Sequence, residues 1–122
     1  MATPTGRVAG KLFAKIDGIL MWARGNWTYN LGQDKQAAVV GADRIHGFKA
    51  EPQVPFIEGA ITDRGDLDLK ALVTKSAATV TLELANGKTV SLASAWYAGE
   101  GTVNANEGEV PCRFEGLSAD EV

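Results

Sequence analysis

The sequence is poor in the residues that most often mark a chemical site. It has one histidine, His46, and one cysteine, Cys112. A lone cysteine excludes an intrachain disulfide and any cysteine-rich metal site, and a lone histidine excludes a cluster of imidazoles. Long apolar runs are also missing. The stretch Ile19-Leu20-Met21-Trp22-Ala23 is far too short to span a bilayer. The single cysteine fits a reducing compartment, and residues 1–7 carry no apolar run of the kind a secretion signal needs, so no signal peptide is expected. No excess of positive charge exists either. The formal net charge is −3, which gives no global drive toward nucleic acid.

What is present is an ordinary soluble composition. The 122 residues are 45% hydrophobic and 22% charged, enough for one domain with one core. A single domain over 1–122 is expected, with an N-terminal arm at 1–10 and a long loop region at 30–52. A frayed C-terminal tail is expected at 117–122. The charge is divided along the chain: residues 1–50 balance to +4 and residues 51–122 to −7. Fourteen glycines spread through the sequence indicate many turns between short strands.

Alternation of apolar and polar residues is clearest at 79–96. Thr79-Val80-Thr81-Leu82-Glu83-Leu84 and Thr89-Val90-Ser91-Leu92 flank Asn86-Gly87. The pattern predicts a β-hairpin with a two-residue type I′ turn and Val80, Leu82, Leu84, Val90 and Leu92 on one face. A second hairpin is expected at 11–22 around Asp17-Gly18. Residues 53–62 read as a strand that begins near Pro55, and 109–116 as a last strand with Val110, Cys112 and Phe114 on one face. Leu69, Leu72 and Val73 at helical spacing predict an amphipathic helix of two to three turns. Asp63, Asp66 and Asp68 sit near its start, where carboxylates cap and suit the helix dipole. Residues 30–52 read as irregular, with one short strand at 35–40. The fold class is therefore mainly β with one short helix.

The candidates for chemistry resolve mostly into structural roles. His46 reads as a loop histidine making structural hydrogen bonds, and Cys112 as a small buried hydrophobe. The three aspartates lack the glycine and distal glutamate of a calcium loop. Gly41 and Gly47 are not followed by the Lys-Ser/Thr of a phosphate loop. Glu107 and Glu109 read as a solvated acidic loop rather than an acid/base pair. Trp22, Trp27, Tyr29, Trp96 and Tyr97 read as packing residues, since interleaved basic residues are missing around Trp96-Tyr97. No catalytic set, metal site or cofactor site emerges, and the expectation is a protein that is not an enzyme. Long strands leave long edges, and self-association is one way to cover them.

Several phrases, in order along nearly the whole chain, resemble the tail tube proteins of Mu-like contractile-tailed phages. They are Met1-Ala2-Thr3-Pro4-Thr5-Gly6-Arg7-Val8-Ala9-Gly10, Ala38-Val39-Val40-Gly41, Ile45-His46-Gly47-Phe48 and Glu51-Pro52 through Ile57-Glu58-Gly59. The series continues with Leu67-Asp68-Leu69-Lys70-Ala71-Leu72, Thr79 through Thr89, and Gly108-Glu109-Val110-Pro111-Cys112-Arg113-Phe114-Glu115-Gly116. The resemblance implies a β-sandwich or rolled barrel with one flanking helix, assembling as hexameric rings that stack into a hollow tube. Such a tube, similar to that of type VI secretion systems, conducts the genome of a virion. It implies partnership with further copies of the chain, with sheath, tape-measure, baseplate and terminator proteins, and with DNA that passes without specific binding. It involves no membrane and no cofactor. Contacts between subunits or rings map most naturally onto Arg7, Lys35, Val39, Arg44, His46, Phe48 and Glu51.

A channel that conducts DNA should avoid a basic wall. Glu83, Glu107, Glu109 and Glu115 are the candidate acids on the lumen side. Two other readings compete. One is the tube subunit of a phage-derived bacteriocin or injection machine. The other is a monomeric β-barrel module that binds a ligand or oligonucleotide.

Overall fold

A computed structural model describes residues 12–122. Ten strands and one short helix follow in the order β1 (Phe13–Ile16), β2 (Ile19–Met21), β3 (Ala23–Asn30), β4 (Lys35–Val40), β5 (Ile45–Glu51), β6 (Phe56–Thr62), α1 (Leu69–Val73), β7 (Ala78–Glu83), β8 (Thr89–Tyr97), β9 (Glu109–Glu115) and β10 (Ser118–Glu121). Eight strands form one antiparallel sheet in the order β2-β1-β7-β8-β9-β6-β3, with β10 also paired to β8. Among the described residues, strands β4 and β5 pair only with each other. No helix among the described residues is long and apolar enough to cross a membrane.

The sheet is curled so that its two ends meet. Strands β2 and β3 lie at opposite ends of the strand order, yet only Trp22 separates them in sequence. The Trp22 carbonyl accepts the Thr62 N–H at 2.8 Å, which ties this corner to β6. Curling turns one face of every strand inward. Ala14 and Ile16 of β1, Val80 and Leu82 of β7, and Val90 and Leu92 of β8 meet Ile57 and Ile61 of β6 and Val110, Cys112 and Phe114 of β9 in one buried cluster. Leu72 of α1 joins it, so the helix buries one side chain against the sheet.

The β1–β2 turn is as the sequence predicts. Ile16 pairs with Ile19, and Asp17 and Gly18 both take positive φ, at 52° and 81°. The β7–β8 turn differs from expectation. Glu83 pairs with Thr89, and the Leu84 N–H donates to the Lys88 carbonyl at 2.8 Å, leaving the three-residue loop Ala85-Asn86-Gly87. Gly87 alone takes positive φ there, at 94°, as the last residue of a three-residue hairpin loop does. The cause is register. Val80 must face Leu92, and Leu82 must face Val90, for both pairs to be buried. A two-residue loop would shift that pairing by one and set Val80 against Ala93.

Three further expectations are corrected. The helix has five residues, not two to three turns, because Asp68 rather than Asp63 or Asp66 is its N-cap, with its side chain accepting the Ala71 N–H at 3.1 Å. Residues 117–122 are not frayed: β10 pairs with β8 and buries Ala119. Residues 30–52 are not an irregular loop with one strand. They form the β4–β5 hairpin, in register from Lys35–Glu51 to Val40–Ile45.

Two local devices shape the sheet. Ser94, at φ 51°, bends β8 between the residues that pair with β10, Val90 to Ala93, and Trp96 and Tyr97, which pair with β9, while β7 pairs on both sides of the bend. Between Arg24–Ala60 and Thr28–Glu58, three residues of β3 oppose Gly59 alone. In this bulge the Trp27 ring lies directly on Gly59, where any Cβ would strike it. Pro55 precedes β6, and Pro111 is accommodated in β9 where β8 no longer pairs with it.

Candidate functional site

The β4–β5 hairpin collects six of the seven contact candidates named from the sequence. Arg7, the seventh, lies outside the described residues. Pairing assigns the hairpin two faces. Lys35 and Glu51, Ala37 and Lys49, and Val39 and Gly47 share one, and Lys49 lies 3.8 Å from Glu51 across its charged end. Ala38 and Phe48, Gln36 and Ala50, and Val40 and Ile45 share the other. That second face is largely apolar and uncovered, with Val40 70%, Ile45 69% and Phe48 65% exposed. In the sheet, residues of this type on one face are buried. An apolar strand face left open on a projecting hairpin is a mark of an interaction surface.

The tip of the hairpin is built around His46. Its ring packs on Gly41, leaving no room for a Cβ there, and the Gly41 N–H donates to the Arg44 carbonyl at 2.8 Å. Asp43 sits 3.5 Å from His46 Nε2 and 3.9 Å from Arg44 Nε. His46 is thus a structural residue of the tip that also places Asp43. Of the apolar face, the sequence identified Phe48 but not Ala38, Val40, Ile45 or Ala50. The apolar residues on both sides of the Gly41-to-Arg44 turn were the available signal.

The acidic candidates divide between two parts of the sheet. Glu109 and Glu115 project from the outward face of β9. Glu109 lies 3.7 Å from Arg24 Nη1, and Arg24 Nε donates to Thr62 Oγ1 at 2.9 Å. Arg113 Nε donates to Glu115 at 3.0 Å, its Nη1 donates to Glu58, and its guanidinium lies over the Phe56 ring at 4.2 Å. Glu58 was not singled out from the sequence, although its place opposite Arg113 in register makes it part of the same ladder. This face carries three glutamates against two arginines. An open cleft of about 540 Å³ runs between it and the 99–102 loop, where Glu100 adds another acid. Glu107 is exposed in the turn before β9, and its N–H donates to Asn104 Oδ1 at 3.3 Å. Glu83 stands apart on β7, paired with Lys15 at 3.4 Å.

Several further polar residues have structural roles. Cys112 is buried, and burial pushes its thiol pKa up to about 12, which leaves it unreactive. Tyr97 packs edge-on against Phe114 at 5.5 Å and donates its hydroxyl to the Pro111 carbonyl at 2.8 Å. Asp66 pairs with Arg64 at 3.0 Å, and Arg64 lies over the exposed Trp22 ring at 5.4 Å.

Comparison with known proteins fits this architecture. The phage tail tube protein family matches the sequence over residues 5–121. No curated protein matches the chain. Two cryo-EM structures share its fold. One is the tube-terminating cap of the anti-feeding prophage, with TM-score 0.61 and 9% identity, covering 100% of this chain and 91% of that one. The other is the sheath/tube terminator of the PVC extracellular contractile injection system in its extended state. It has TM-score 0.63 and 9% identity, covering 100% of this chain and 97% of that one. At 9% identity these two likenesses concern the fold alone.

Proposed function

The chain belongs to the phage tail tube protein family, and from that premise we propose that it is the repeating subunit of a tail tube. Its role is structural. Copies associate into hexameric rings, rings stack into a hollow tube, and the genome passes through the channel into the host. The observation that carries this reading is the β4–β5 hairpin, whose apolar face has no cover among the described residues. The hairpin reaches a neighbouring copy or ring. Val40, Ile45 and Phe48 supply buried area there, and Lys35, Arg44, Lys49 and Glu51 supply rim charges that set orientation. A ring requires unlike surfaces to meet, and the basic first half and acidic second half of the chain suit such a head-to-tail contact.

The outward face of β3, β6 and β9 lines the channel in this proposal. Its acids, Glu58, Glu109 and Glu115, outnumber Arg24 and Arg113, and Glu107 extends the acidic surface. Both arginines are held by carboxylates and are not free to grip phosphate. Glu83, on the other half of the sheet, lies away from this wall. The tube's partners are the sheath around it, the tape-measure protein within it, and the baseplate and terminator at its ends. Its place is the virion tail. A second reading is the tube of a phage-derived bacteriocin or injection machine; one of the two similar folds is named as the terminator of an extracellular contractile injection system and the other as the tube-terminating cap of a prophage.

Negative-stain microscopy of the concentrated protein tests the proposal. Rings or hollow tubes are expected, with DNA affinity no higher than that of an acidic protein. A strictly monomeric protein that binds oligonucleotide in a salt-sensitive manner would instead support the small barrel module.

A further inference from the structure

The β7–β8 turn joins two features that the assembly reading does not use. Asn86 is the one asparagine in the chain followed by glycine, and the turn that holds the pair is exposed. Glycine has no Cβ to shield its backbone nitrogen. That nitrogen is tied by a single long hydrogen bond, Gly87 N–H to the Leu84 carbonyl at 3.2 Å. The Asn86 carboxamide oxygen accepts the Lys88 N–H at 3.1 Å, which polarises the carbon that a nucleophile would attack.

We propose that Asn86 is a spontaneous deamidation site, opened when the outer hydrogen bond of this turn frays. The Gly87 backbone nitrogen attacks Asn86 Cγ, forming the N–Cγ bond of a succinimide. The side-chain nitrogen leaves as ammonia, carrying away the proton that the backbone nitrogen gives up. Water then opens the ring at one of its two carbonyls and leaves aspartate or isoaspartate, with no change of oxidation state.

The other asparagines are poorer sites. Asn30 and Asn104 are followed by Leu31 and Ala105, whose Cβ atoms shield the backbone nitrogen that would attack. Asn26 and Asn106 precede the bulky Trp27 and Glu107.

The two products differ in consequence. Aspartate keeps an acceptor for the Lys88 N–H and adds a charge beside the Lys88–Glu121 pair, whose atoms lie 3.4 Å apart. Isoaspartate inserts one more backbone carbon into a loop whose length fixes the β7–β8 register. Assembled virion subunits are not replaced, so conversions would accumulate with particle age. That consequence rests on the tail reading, whereas the site itself does not.

The test uses the full wild-type chain, incubated folded in mildly alkaline buffer and in parallel in urea. Peptide mass spectrometry follows all five asparagines, and an isoaspartate-specific methylation assay separates the products. The Asn86→Asp variant serves as the chromatographic reference. In the folded protein, Asn86 is expected to convert severalfold faster than each of the other asparagines, and faster again in urea. Conversion of Asn86 no faster than the others, or only after unfolding, would overturn the proposal.

Discussion

The curled sheet and the β4–β5 hairpin are built from the same antiparallel pairing and obey opposite rules. In the sheet, every strand turns its apolar face into one cluster. In the hairpin, Val40, Ile45 and Phe48 share a face that none of the described residues covers. A two-stranded ribbon gains little stability of its own in water. Its apolar residues therefore contribute little to the stability of the subunit. In the proposed tube, the sheet makes the subunit and the hairpin meets the neighbouring copy.

Substitutions in the two regions should separate stability from assembly. The largest expected loss of stability is in the sheet. Phe114→Ala removes a fully buried ring and should cost about 3–5 kcal/mol in urea unfolding. The same change in the hairpin, Phe48→Ala, should move subunit stability by no more than about 0.5 kcal/mol, while reducing assembly seen by sedimentation. A hairpin variant that unfolds as readily as the sheet variant would erase the distinction.

Glycines sharpen the comparison at a smaller scale. Gly59 and Gly41 each carry an aromatic ring directly on the backbone. Trp27 over Gly59 packs against the core, so Gly59→Ala should cost about 1–3 kcal/mol by overpacking. His46 over Gly41 stands in an exposed tip and can swing aside, so Gly41→Ala should cost less than about 0.5 kcal/mol in thermal unfolding.

The smallest effect concerns pH. The Asp17 carboxylate accepts from Lys75 Nζ at 2.8 Å and from the Thr79 N–H at 2.9 Å. The bond from Lys75, then that from Thr79, lowers its pKa below the ordinary 3.8. A depressed folded value means that this contribution is whole above the ordinary pKa and is lost as pH falls through the folded one. The pair is solvent-screened, so its contribution is below about 1 kcal/mol. The urea midpoints of wild type and Asp17→Asn should therefore differ at pH 7 and converge in acid.

The same contrast explains what the sequence could reveal. Strands β1, β6, β7, β8 and β9 are legible because burial of one face imposes a period of two on Val80-Thr81-Leu82 and Val110-Pro111-Cys112. The type of the β7–β8 turn was also available. If Val80, Leu82, Val90 and Leu92 share a face, the loop between them must hold an odd number of residues, which excludes a two-residue turn. Asn86-Gly87 alone suggested otherwise because Gly87 serves both turn types. The hairpin was hidden for a physical reason: Ala37-Ala38-Val39-Val40 shows no alternation, since neither of its faces is buried within the subunit. Strand β10 buries only Ala119, too little to write a pattern. The acidic wall was legible in Glu109 and Glu115. Arg24 and Glu58, which complete its ion pairs, were not, because they reach Glu109 and Arg113 only through the curl of the sheet and its register.

The central claim is that the hairpin serves assembly and the sheet serves folding. Deleting residues 35–50 and joining the ends with a short glycine linker tests it most directly, with negative-stain microscopy as the readout and wild type alongside. The account predicts tubes from wild type, and from the deletion a folded subunit with an unchanged unfolding midpoint that forms none. Tubes of normal length from the deleted chain would contradict it.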